Sequence, residues 1–272
     1  MNESAVSAPK RIPVSGRRPP SAAFGRFVVQ TPSTKPALPI VDTTNALSLR
    51  EMVELGEMTP QPCDVFAGEQ LLYFFYGKPA YRLFTDYDSA LTAEAPIALI
   101  LSASIAAETK RLFPFDSGGF ERYRRFMPKQ FELQYFDLAP AGCEPGQIVS
   151  TFFDSNAKYF AGAPKLDFDA PPDQFELASF LELLRYKGKD AFDDRAWTIE
   201  LQIPNTISLN SSTVLAVILP SILADTELGR RVSSEWQAEI LPYDFTGRGR
   251  PIEYHSAVRD LTKSFLQRGQ FV

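Results

Sequence analysis

The chain has 272 residues, 44% of them hydrophobic, and a net charge of −5, which is enough apolar material for one elaborated domain or two small ones. No run approaches 18 consecutive apolar residues and the N-terminus holds no apolar signal-like segment, so a membrane span and secretion are not expected. Cys63 and Cys143 are the only cysteines, too few for a disulfide framework, and a reducing, cytoplasmic compartment is expected.

Charge is unevenly spread. Residues 1–37 hold Lys10, Arg11, Arg17, Arg18, Arg26 and Lys35 against Glu3 alone, a net of +5, and leave −10 on the remainder. Pro, Ser and Ala dominate that segment, so residues 1–37 are expected to form a disordered basic tail and residues 38–272 a single domain. Such a tail could touch nucleic acid, though six charges are few. The acidic body argues against nucleic acid held along a broad surface and leaves room for a small anionic ligand in a local pocket.

Along the chain, "PIVDTT" (39–44) predicts a first strand. "SLREMVELG" (48–56) predicts a helix opened by a Ser48/Glu51 capping box and stopped by Gly56. The aromatic run 71–76 in "LLYFFYGKPAYRLF" is a core strand broken by Gly77 and Pro79, with Tyr81 and Arg82 just beyond. "APIALILS" (95–102) does not alternate and predicts a strand buried on both faces. Residues 103–111 and "ERYRRF" (121–126) read as helical, and "FPFDSGGF" (113–120) as a turn-rich loop. A second capping box, Asp173/Glu176, predicts a helix running to about Lys187 with Gly188 as its stop.

The C-terminal third is clearer. "RAWTIELQIP" (195–204) alternates strictly, with Trp197, Ile199, Leu201 and Ile203 on one face and Thr198, Glu200 and Gln202 on the other. "TVLAVILP" (213–220) is a buried strand, "SILADTELG" (221–229) a short helix, "SEWQAEILPYD" (234–244) another strand. Tyr254, Val258, Leu261 and Phe265 mark a last helix. The irregular alternation of strands and helices predicts an α+β fold.

Motifs for phosphate loops, dinucleotide folds, zincins and nucleophile elbows are absent. The single histidine, His255, rules out histidine-clustered zinc and two-histidine chemistry. What remains is chemistry for carboxylates, tyrosines and arginine. Glu200 is held on a strand, which fixes a carboxylate as catalysis requires if that face lines a cleft; facing solvent, it is an ordinary outward residue. Tyr73, Tyr76 and Tyr81 offer rings to stack on a heterocycle, with core packing as the alternative for the first two, and Arg82 offers a bidentate phosphate contact.

The order of Asp42-Thr43-Thr44, a small helix ending "ELGEM", the strand "LLYFFYGKPAYR" and, much later, "AWTIELQIP" with its central Glu resembles the ADP-ribosyltransferase-like fold. Its nearest look is to the DNA-modifying toxin branch (DarT-type) and related bacterial antiviral defence effectors. The resemblance covers residues 39–84 and 195–220, and where many members carry His or Arg in the first motif this chain has Asp42. It implies a split mixed or antiparallel sheet with peripheral helices. It further implies NAD as substrate, Glu200 as the catalytic glutamate, Thr43 and Thr44 at the NAD ribose, and Tyr73, Tyr76, Tyr81 and Arg82 around nicotinamide and pyrophosphate. The implied activity is transfer of ADP-ribose to nucleic acid or protein. The alternative is a non-catalytic binding or regulatory subunit on the same fold, an antitoxin-like partner in a defence complex.

Overall fold

A computed structural model describes residues 23–63, 65–80, 91–187, 194–246 and 250–272. Its strands are β1 (Ile40–Asn45), β2 (Glu57–Met58), β3 (Gln61–Pro62), β4 (Gln70–Tyr76), β5 (Pro96–Leu101), β6 (Arg111–Phe113), β7 (Glu200–Ile203), β8 (Ile207–Ser208), β9 (Val214–Pro220) and β10 (Glu239–Tyr243). The helices are α1 (Ala23–Val28), α2 (Ala46–Leu55), α3 (Phe120–Tyr123), α4 (Pro145–Phe153), α5 (Asn156–Ala161), α6 (Phe175–Arg185), α7 (Ser221–Ala224), α8 (Glu227–Glu235) and α9 (His255–Arg268). None of these helices is long and apolar enough to cross a membrane.

One sheet runs β10-β9-β5-β1-β4-β7-β6, with β3 added to β4. Every ladder in it is antiparallel except β9–β10, which is parallel. The fold is therefore α+β, a mostly antiparallel sheet with helices around it. Alternation sends successive β1 side chains to opposite faces: Ile40 joins the larger core, Val41 the smaller one that α9 covers through Val258. β5 is buried at all six positions, as its non-alternating sequence predicts.

The seam between β1 and β4 is short. β1 pairs with β5 at six positions but with β4 only at Ile40↔Tyr76 and Val41↔Phe75. At the far end of β4, Gly77 turns the chain at a φ of 67°, and its backbone N–H donates to Pro39 O. A side chain there would run into Leu38, so glycine is the residue that closes this edge.

Several expectations change. Residues 23–37, expected in the tail, belong to the packed body: Phe24 is 2% exposed, and its ring meets Phe136, Phe152 and Phe180. The apolar spacing of Phe24 and Val28 is one helical turn, and that outweighs the surrounding Pro and Ser. The first long helix is capped by Asn45, whose Oδ1 accepts from Ser48 N at 2.9 Å, so it starts two residues before the Ser48 box. Gly56 ends it in the left-handed conformation, as expected. α6 begins after Gln174 instead of Asp173, and Gly188 lies outside the described residues. Residues 103–108 form 3-10 turns followed by β6, and residues 227–235 are helix α8, so the last strand shortens to Glu239–Tyr243.

Candidate functional site

β7 is shorter than its alternation implies. Residues 194–197 curl into a 3-10 turn and only Glu200–Ile203 pair in the sheet. Glu200 sits opposite Phe75 on β4 and Phe113 on β6, while Gln202 sits opposite Tyr73 and Arg111. Those two rows share one face of the sheet, because cross-strand partners point the same way. Thr198, Glu200 and Gln202 share that face as the period of two requires, yet all three are buried. The polar face of this strand meets neither cleft nor solvent.

What covers it is the segment Asp116–Gly119, read from sequence as a loop. Ser117 donates its backbone N–H to Glu200 Oε2 at 2.9 Å and its hydroxyl to Glu200 Oε1 at 2.7 Å. Gln202 Nε2 donates to the same Oε1 at 2.7 Å and to Ser117 Oγ at 3.1 Å. Glu200 is 1% exposed. Three donors would favour its ionised form, but burial is the larger influence and Asp116 adds a like charge, so the carboxyl is pushed up to about 8.

The network continues along the face. Arg111 reaches Gln202 Oε1 at 3.4 Å and grips Glu69 with two contacts, 2.8 and 2.6 Å, while its guanidinium lies 3.9 Å from the centre of the Phe66 ring. With Lys110 also on Glu69, that carboxyl is held down at about 2. On the other side Asp116 Oδ1 accepts from Gly118 N at 2.9 Å and Oδ2 stands 3.9 Å from Arg195. Each polar atom named in this network has a protein partner, which is the arrangement that rigidifies a buried network.

The other candidate residues do not converge on Glu200. Thr43 and Thr44 lie two and three residues past the last β1–β4 pair and face Ala98 and Ile97 of β5. Thr43 Oγ1 is buried with no partner among the described residues, as is Oδ2 of the half-buried Asp42, whose carboxyl burial raises to about 7. Tyr76 is a core ring whose hydroxyl accepts from Leu38 N at 2.8 Å. Tyr73 is half-buried, its hydroxyl 2.5 Å from Cys63 Sγ. Tyr81 and Arg82 lie outside the described residues.

Ser117 and Gln202 were missed as partners of Glu200, and Asp116 with its neighbour Arg195 as the charges beside it. Gln202 was legible, since it lies two residues along the same strand face. The loop was legible only as Asp-Ser-Gly-Gly, a pattern in which Asp and Ser side chains turn back on the backbone. Its destination depends on a contact 83 residues away in sequence. Among the described residues no group of three or more His, Cys, Asp or Glu side chains is placed to hold a metal ion.

Comparison of the chain with protein-family models, with curated proteins and with solved structures finds no match to any of them.

Proposed function

We propose that this chain is a non-catalytic binding or regulatory module on an ADP-ribosyltransferase-like plan, the partner subunit of a defence complex in place of an NAD-consuming enzyme. The observation that carries the reading is the sealed carboxyl of Glu200. A glutamate that stabilises an oxocarbenium-like state must be ionised and must touch the ribose. Here both carboxyl oxygens are occupied by Ser117 and Gln202, and burial favours the neutral acid. The role left for Glu200 is to pin the 116–119 loop to the sheet.

In this reading contact with a partner falls to the basic segment at α3 and the turn after it. Arg122 and Arg125 are exposed. The Arg125 guanidinium lies 4.4 Å from the Tyr186 ring centre and 4.9 Å from that of Phe126. A stacked arginine of that kind offers both a charge and a flat apolar face to an acidic protein surface.

One observation favours the second reading, an NAD-dependent ADP-ribosyltransferase acting on nucleic acid or protein, as toxin or antiphage effector. The β1–β4 ladder ends after Val41↔Phe75, and past it Thr43 and Tyr73 continue on the face that carries Glu200, with Thr43 Oγ1 unpartnered among the described residues. A split sheet that admits NAD would open there. Incubation with labelled NAD and mixed DNA, RNA and protein separates the two. The proposed module neither transfers label nor releases nicotinamide; turnover by wild type that is lost in Glu200→Gln supports the enzyme.

A further inference from the structure

Lys78 follows Gly77 at the end of β4, and its side chain runs into the body. The residue is 2% exposed, and Nζ has no hydrogen-bond partner among the described residues. It lies 4.4 Å from the centre of the Tyr159 ring and 5.8 Å from that of Trp197. Both ring residues are tied to their places. The Tyr159 hydroxyl donates to Tyr76 O at 2.9 Å and accepts from Ile199 N at 3.0 Å, bridging β4 to the residue before β7. The Trp197 indole packs over Gly162, where a Cβ would come within 2.9 Å of it. Trp197 Nε1 is a second buried donor with no partner among the described residues.

Two buried donors around one pair of rings, neither with an acceptor among the described residues, are unusual, because buried polar groups are almost always satisfied. The charged groups acting on Lys78 are Asp194, from the turn before β7, and Arg259, from α9. Burial is the strongest influence and disfavours the ammonium; Asp194 favours it, Arg259 opposes it, and Nζ is held down to about 7 against an ordinary 10.5. Lysines that enzymes use as nucleophiles are made so in this way, by an apolar enclosure and a neighbouring cation.

We propose that Lys78 is a nucleophilic amine that captures a small carbonyl compound, an aldehyde, as an imine, with the Trp197 Nε1–H as donor to the carbonyl oxygen. The nitrogen lone pair adds to the carbonyl carbon while the π pair moves to oxygen, which takes a proton. The carbinolamine, R–NH–CH(OH)–R', then loses its hydroxyl as water together with the one proton left on nitrogen, whose lone pair forms the C=N bond. Because Lys78 is 2% exposed, the reactant has to be small and to enter by local opening of residues 77–80. This inference is independent of the role proposed for Glu200.

The test is reductive trapping of the full chain at pH 7 with acetaldehyde and cyanoborohydride, which delivers hydride to the imine carbon, followed by peptide mass mapping. Lys78 is expected to be alkylated at least about tenfold faster than the exposed Lys158 and Lys263. Trp197→Phe, which keeps a ring and removes the donor, is expected to slow labelling at Lys78 several-fold with an unchanged circular dichroism spectrum. Alkylation of Lys78 no faster than of the exposed lysines, or only in urea, overturns the proposal. An unchanged rate in a folded Trp197→Phe variant removes Trp197 from it.

Discussion

Ser117 closes over Glu200 twice, with its backbone N–H at 2.9 Å and its hydroxyl at 2.7 Å, from a loop 83 residues earlier in the chain. One side chain of a sheet strand thus fixes the path of a segment that has no ladder of its own. If that bond pair is structural, removing half of it must be felt in stability. Ser117→Ala keeps the backbone bond and leaves Glu200 Oε1 with Gln202 alone; about 1–3 kcal/mol should be lost. For a chain of this size the melting temperature should fall by roughly 2–4 °C per kcal/mol. A calorimetric scan matching wild type within a degree would deny the loop its anchor.

A pH titration tests the state of Glu200 itself. Its carboxyl is raised in the folded protein from an ordinary 4.5 to about 8, so between those values the folded state holds a proton that the unfolded state has released. Stability from this group is therefore fully present below pH 4.5 and is lost as pH rises towards 8, with a slope of up to about 1.4 kcal/mol per unit. Glu200→Gln cannot titrate. Urea unfolding of both proteins across pH 5–8 should give a stability difference that shifts in favour of the variant as pH rises. A difference that is flat in pH means Glu200 is not buried as a neutral acid.

The strands were legible because their apolar runs are local: residues 71–76, 95–102 and 213–220 fall within a residue or two of β4, β5 and β9. The Glu200 face was legible as a face but not as a buried one, since period-two alternation does not say what covers the polar side. Three residues of the covering loop, Asp116, Ser117 and Gly118, fold on contacts with Arg195, Glu200 and each other, and such long-range pairs leave no periodic trace. Helices α4 and α5 were missed because they are short and separated only by Asp154 and Ser155. The basic N-terminal stretch hid Phe24 and Val28 behind Pro- and Ser-rich neighbours.

That last correction has a direct consequence. Phe24 sits among Phe136, Phe152 and Phe180 at centroid distances of 6.3, 6.1 and 5.9 Å. Phe24→Ala should cost about 3–5 kcal/mol, on the order of 10 °C in melting temperature, and deletion of residues 1–36 should cost at least as much. A deletion that melts within two degrees of wild type would place this segment outside the core.

Gly77→Ala probes the edge where β4 ends. The residue has a φ of 67°, and a Cβ would stand 2.5 Å from Leu38 Cδ1. Strain and the displaced Leu38 should together destabilise by roughly 1–3 kcal/mol, read as a lower urea midpoint at unchanged slope. Equal midpoints would mean that Leu38 and the turn yield without loss.

The sealed carboxyl of Glu200 is tested most directly by nicotinamide release from labelled NAD, with wild type and Glu200→Gln side by side and DNA, RNA and protein present as acceptors. A module in which Ser117 and Gln202 occupy both carboxyl oxygens releases no nicotinamide above the no-protein control in either form. Release by wild type that disappears in a folded Glu200→Gln variant would contradict it, and would mean that the 116–119 loop lifts to expose a working catalytic glutamate.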